Sequence, residues 1–190
     1  SVVIPNGNIG SSCFNSCTSL SSVIIGDGVT SIGEDAFSGC GALSSIVMGN
    51  GIVKVGEDAF YGCDTNISVT VNRLSSWLNI EFENNWANPM SAGGNLYLKD
   101  KLVTELVVPE TNDSIKTYAF YGCKSIKNVE ISKNVTFIGT GAFGGTSLTS
   151  CIIPDNVISI GSSIFENCEF LISATINCKS VSSKMFRNCK

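Results

Sequence analysis

Apolar positions recur along this chain in fixed columns. Phenylalanines at 14, 37, 60, 120, 143, 165 and 186 are spaced by 23, 23, 60, 23, 22 and 21 residues. A branched aliphatic stands five residues before each of them: Ile9, Ile32, Val55, Ile115, Ile138, Ile160 and Val181. Glycine fills the position four before in five of the seven units, with Lys116 and Ser182 the departures, and cysteine the position three after in six, with Thr146 the exception. Columns that agree in this way mark a structural repeat. A unit this short cannot bury its own apolar side, so its neighbours must stack on it, and the chain is predicted to be a solenoid.

A second pattern follows each phenylalanine unit: Leu20-x-x-Val23-x-Ile25, repeated as Leu43/Ile46/Met48, Ile126/Val129/Ile131, Leu148/Cys151/Ile153 and Leu171/Ala174/Ile176. Its period-2 ending predicts a strand. Eight such rows, centred near Val3, Ile24, Val47, Thr70, Val107, Glu130, Ile152 and Thr175, give seven steps of about 4.8 Å, or roughly 34 Å of axis. Pro5, Pro109 and Pro154 share one phase directly after the strand. Proline donates no hydrogen bond and belongs where a ladder stops. The Gly-Glu-Asp-Ala-Phe stretches at 33–37 and 56–60 read as short helical turns. Their acidic pairs would complement the positive N-terminal end, which accounts for the carboxylates without a bound calcium. The expected architecture is an α/β solenoid, with a parallel sheet on one face and short helical turns and loops opposite.

The interval from Phe60 to Phe120 exceeds a 23-residue repeat by 37 residues. It predicts an inserted segment, about 66–104, in one domain spanning 1–190. Arg73 to Leu78 reads as a short helix, Asn88-Pro89-Met90 with Gly93-Gly94 as loop, and Leu96 to Val103 as a hairpin lacking the glycine that a tight turn prefers. The segment holds both tryptophans. Trp77, Phe82, Trp86 and Tyr97 are either its own small core or a projecting contact patch, and the need of a long excursion to bury something favours the core.

Composition narrows the function. With 43% apolar and 15% charged residues the chain buries a substantial core. A net charge of −4, with 12 Lys plus Arg scattered singly, offers no basic stripe for nucleic acid, and no apolar run is long enough to insert in a membrane. Without histidine there is neither a Ser-His nor a Cys-His pair, and no glycine-rich phosphate loop appears. Paired carboxylates would need a cleft that an open sheet does not supply. The nine cysteines contain no C-x-x-C pair and fall where small apolar side chains are wanted, six of them in one column, so they read as buried thiols and not as a metal site or disulfide framework. No enzyme activity and no cofactor is expected.

The strand with asparagine or glycine three positions past its last aliphatic resembles a leucine-rich repeat. The phase running from Ile153-Pro154 through Val157, Ile160-Gly161 and Phe165 to Cys168 resembles the BspA-like subfamily of bacterial surface proteins. Trp77, Ile80, Phe82, Asn88-Pro89 and Asn95 to Leu98 likewise resemble an insertion recurrent in such arrays. The resemblance covers nearly the whole chain. It implies an extracellular or cell-surface module for adhesion and protein contact, without catalytic residues. The chain opens on a strand, lacks a signal-peptide pattern at Ser1 to Pro5 and closes in mid-repeat, so it reads as a piece of a longer array.

A ligand, protein or glycan, is expected on the outward face of the sheet. The apolar candidates there are Ile24, Val47, Val107 and Ile152, with Glu130 and Thr175 in the same row and Ser22, Ser45, Asn128 and Ser150 as a polar rim. Trp77, Trp86 and Tyr97 are the candidates in the insertion. Two other readings stay open: β-branched residues present for strand propensity alone, in a spacer that holds another domain away from a surface, and, more distantly, an enzyme.

Overall fold

Along each main-row strand one side chain enters the core and the next leaves it, and successive coils repeat this alternation in register. Ser22, Ser45, Ser68 and Asn95 share one position, Val23, Ile46, Val69 and Leu96 the next, and Val47, Thr70 and Tyr97 continue from Ile24. Only the middle set is buried, each residue at 0–1% exposure. The computed structural model describes residues 1–179 and 181–190. In it the parallel strands Val2–Asn6, Ser22–Gly28, Ser45–Met48, Ser68–Val71 and Asn95–Leu98 pair in chain order. Glu105–Val107 then pairs with Asn128–Glu130, and Ser150–Ile153 with Ser173–Ile176. These are nine main-row strands among the described residues, one more than the sequence pattern predicts.

The additional strand is Asn95–Leu98, which is also the first arm of the expected hairpin. Tyr97 faces Leu102 and Leu98 faces Lys101, antiparallel, across Lys99-Asp100. Lys99, at a φ of 58°, supplies the left-handed residue that glycine ordinarily gives such a turn. A second, shorter row lines another side of the core: Ser31–Ile32, Lys54–Val55 and Glu81–Phe82 form one group, and Ser114–Ile115, Phe137–Ile138 and Ser159–Ile160 form another.

The corner before each phenylalanine is not a regular helix. Bonds from Ala36 N to Gly33 O, Ser38 N to Asp35 O and Cys40 N to Phe37 O close successive turns, but Asp35 and Gly39 between them are left-handed, at φ of 54° and 73°. These twists aim alternate amides along the axis. Asp35, Phe37 and Gly39 donate to Glu57, Ala59 and Tyr61 of the next coil, so the turns stack as the strands do. The acidic pairs therefore do not cap a helix. Asp35 and Asp58 occupy the left-handed position because a short polar side chain tolerates it.

Phenylalanine rings stack at 5.1 and 5.3 Å through Phe14, Phe37 and Phe60, and at 5.7, 6.0 and 5.7 Å through Phe120, Phe143, Phe165 and Phe186. These are two ladders. Between Phe60 and Phe120 the phenylalanine column is interrupted by a coil with alanine in the place of phenylalanine. Phe60 donates to Trp86 O as Phe37 donates to Ala59 O, which puts Ala87 where the ring would stand. The missing bulk comes from the helix Leu74–Leu78. Its Trp77 is 1% exposed, lies 5.3 Å from Phe82 and donates its indole N–H to Ala119 O at 2.9 Å. Asn88 and Asn112 tie the same junction, Asn88 Nδ2 to Tyr118 O and Ala119 O, and Asn112 Nδ2 to Ser75 O and Asn79 Oδ1.

The cysteine column does more than fill space. The thiols of Cys40, Cys63, Cys168 and Cys189 donate to the carbonyls of Phe14, Phe37, Phe143 and Phe165, one coil back, at 3.0–3.3 Å. Thr146, the exception, turns its hydroxyl onto Phe143 O of its own coil at 2.8 Å. Burial pushes the Cys63 and Cys151 thiols up to about 12, far from the thiolate form that reacts. Iodoacetamide should therefore modify the exposed Cys13 in native protein and spare the buried Cys40, Cys63, Cys123, Cys151 and Cys168 until denaturation. Mass spectrometry of native and unfolded samples reads the difference, and equal rates at all six sites would contradict this packing.

The glycine column has an equally local cause. A Cβ at Gly33, Gly56, Gly139 or Gly161 would lie 2.2–2.5 Å from a backbone nitrogen of the preceding coil. Lys116 holds this phase just after the place where the second row is interrupted, and there its coil need not approach the preceding one so closely. Glu83, in the same phase, follows a strand that is still paired with the preceding coil, and nothing in the structure explains its side chain there.

Candidate binding surfaces

The register brings several of the sequence-named residues together on the outward sheet face. Val3, Ile24, Val47, Thr70 and Tyr97 form one line across five strands, with Val3 64% and Ile24 46% exposed and the last three half-buried. Val107, 56% exposed, stands beside Glu130, and Ile152, 60% exposed, beside Thr175. Ser22, Ser45, Ser68 and Asn95 form the polar line at its side. In the later coils Asn128 donates to Glu105 Oε1 at 2.8 Å, and Ser150 pairs with Ser173. A shallow trough of about 280 Å³ lies between Glu130 and Ile152, edged by Asn128, Ser150 and Pro154. Val3 and Thr70 belong to this face and were absent from the candidates. The row centres already held the signal.

The insertion residues separate. Tyr97 joins the sheet face, Trp77 is enclosed in the core, and Trp86 lies half-buried on the turn side, edge-on to Tyr61 with ring centroids 5.3 Å apart.

Two further concavities lie away from the sheet face. Where the second row is interrupted, Lys54, Phe82, Glu83, Lys116 and Phe137 line a groove of about 360 Å³. Lys54 Nζ and Glu83 Oε1 pair there at 2.5 Å, which raises the lysine and lowers the carboxyl. Both are solvated, so the pair contributes little to stability. On the turn side, Tyr118 and Tyr121 meet edge-to-face at 5.8 Å and border a trough of about 310 Å³ with Glu166 and Arg187. Burial, and then the Glu166 charge, raise the Tyr121 hydroxyl and keep it protonated. Among the described residues no group of three or more His, Cys, Asp or Glu is placed to hold a metal ion, and no helix is long and apolar enough to cross a membrane.

The geometry is that of a leucine-rich-repeat solenoid. The model of the BspA type leucine rich repeat region matches residues 1–87 and 93–190 in six copies, and the chain belongs to this family. Among solved structures it is similar to a leucine rich cell surface protein from Faecalibacterium prausnitzii A2-165, at 24% identity and a TM-score of 0.54 over 94% of this chain and 48% of the other. It is similar also to a leucine-rich repeat protein from Eubacterium ventriosum ATCC 27560, at 24% identity and a TM-score of 0.55 over 94% of this chain and 60% of the other. The chain thus spans about half to three-fifths of those proteins. No curated protein matches it.

Proposed function

We propose that this chain is a non-catalytic binding module of a secreted or surface-exposed bacterial protein, and that it meets a protein ligand through the outward face of its main sheet. The observation that carries the reading is the row of exposed aliphatics. Ile24, Val107 and Ile152, with Val3 and the half-buried Val47, present branched apolar groups where a solvated strand face ordinarily carries polar ones. Ser22, Ser45, Asn128, Ser150, Glu130, Thr175 and Tyr97 supply the polar and aromatic surround. In the same reading 1–190 is one solenoid domain, with 66–104 an elaboration that keeps the array continuous. Family membership supports a role in contact between macromolecules.

A solenoid presents one residue per coil at each phase, so the contact spreads over several coils with no single pocket. Arginine at Val47 and Ile152 together should leave the melting temperature nearly unchanged. It should weaken binding to a partner found by screening immobilised matrix proteins at least ~10-fold, equivalent to ~1.4 kcal/mol. Unchanged affinity in the folded double variant would remove the sheet face from the interface. An array without any partner in the screen would favour the spacer.

A further inference from the structure

The trough on the turn side arises from a vacancy in one coil. Two positions of each tight turn, two residues before the phenylalanine and one after it, carry side chains in the other phenylalanine coils, all at least partly exposed except the buried Ser38. The coil of Phe143 carries glycine at both, Gly141 and Gly144. The coil before it fills the same two positions with Tyr118 and Tyr121, whose rings lie over the vacated backbone. A Cβ at Gly141 would meet Tyr118 Cδ1 at 2.6 Å, and one at Gly144 would meet Tyr121 Cε2 at 2.7 Å. The coil after it presents Glu166, 19% exposed at its side chain, held at 3.4 Å by Arg187 of the next.

Tyr118 sits in the left-handed column, at a φ of 57°, where the other coils place serine, aspartate, glycine or lysine. A bulky residue is disfavoured there, and such a residue persists where its side chain has a task. The column would fold more easily with aspartate, as it does at Asp35 and Asp58.

The chemistry of the trough selects among ligands. It is open and shallow, which does not suit a compact apolar molecule that needs enclosure. Its charges are of both signs and partly paired, which does not suit a polyanion or a polycation. Two half-exposed tyrosines offer an apolar ring with a polar tip, and beside them stand a carboxylate and a guanidinium held in place by each other. A pyranose is divided in the same way, with an apolar face of C–H groups and a rim of hydroxyls. From Tyr121 to Arg187 the trough crosses three coil steps, roughly 14 Å, enough for a short chain of sugar rings. We propose that this trough is a saccharide site, in which a neutral glycan lies on Tyr118 and Tyr121 and bonds through its hydroxyls to Glu166 and Arg187. The site is independent of the sheet face.

Titration of ¹⁵N-labelled protein with chitotetraose, cellotetraose and mannotetraose, followed by two-dimensional NMR, tests this directly. At least one of the three is expected to bind with shifts confined to residues 118–122, 140–145, 162–167 and 183–187. Tyr121→Ala and the isosteric Glu166→Gln should each weaken that binding at least ~10-fold, and the Val47/Ile152 arginine pair should leave it unchanged. If Tyr121→Ala fails to fold, Glu166→Gln carries the test. Absence of binding by all three sugars, shifts centred on the sheet face, or unaltered affinity in folded Glu166→Gln would each overturn the proposal.

Discussion

Replacing Phe143 with alanine is expected to lower the unfolding free energy by about 3–5 kcal/mol. The ring is fully buried, with Phe120 on one face at 5.7 Å and Phe165 on the other at 6.0 Å. Its loss combines the transfer energy of the ring with a cavity, and the cavity cannot collapse because the coils on both sides are fixed by strand pairing and by the Phe143 N–H to Ile164 O bond. Phe14 makes the contrast: it stacks on Phe37 from one side only and is half-exposed, so its alanine variant should lose much less. Urea melts of both variants read the difference. A loss below ~1 kcal/mol at Phe143 would mean that the ladder is not the packed core described above.

Trp77→Ala should be as costly, about 3–5 kcal/mol, and should change the form of the transition as well as its midpoint. The indole substitutes for the absent ring of the Ala87 coil and joins the two phenylalanine ladders through Ala119. The second row is interrupted at the same level, and the main row gives way there to a hairpin. With the indole gone, the coils before and after the junction keep the contacts of Asn88 and Asn112, the Lys124 N–H to Gly94 O bond and the Leu96 N–H to Ser125 Oγ bond but lose their central packing, and solenoid stability is a sum of nearest-neighbour terms. Residues 1–87 and 105–190 should then unfold in two resolvable steps, which hydrogen exchange can assign to each half. Trp77→Phe keeps most of the packing and loses the hydrogen bond, for ~1 kcal/mol. A single cooperative transition, shifted by less than ~1 kcal/mol in Trp77→Ala, would show that the junction does not depend on this residue.

The repeating part of this fold is written in the chain as columns, because each column is a ladder whose rungs see the same surroundings. Ile32, Val55, Ile115 and Ile138 are interchangeable for that reason, and so are the cysteines that donate one coil back. Legibility fails where a coil departs from its neighbours. Asn95–Leu98 was readable as a hairpin arm, but its register with Ser68–Val71 was hidden by the reversal after it. The break between the ladders was hidden because alanine at 87 reveals its phase only through the Phe60 to Trp86 bond. Lys116 in the glycine column was the signal of that junction: a long side chain where backbone contact forbids even a Cβ means that the contact is relaxed. The turn-side trough was not legible, since it needs Gly141 and Gly144 of one coil set against Tyr118, Tyr121 and Glu166 of the coils beside it. The sheet-face residues were found from period-2 alternation alone, apart from Val3 and Thr70.

The thiol column bears on how such an array grows. In a disulfide-stapled domain every cysteine must find one partner among many, and an added pair multiplies the wrong pairings. Here each bonded thiol of the column meets a carbonyl 24–26 residues back, and the contact is complete once two adjacent coils exist. Duplicating or deleting a whole coil adds or removes one such contact and leaves the others undisturbed. Array length is therefore free to drift by gain and loss of whole units, without an oxidant or an isomerase to sort the cysteines.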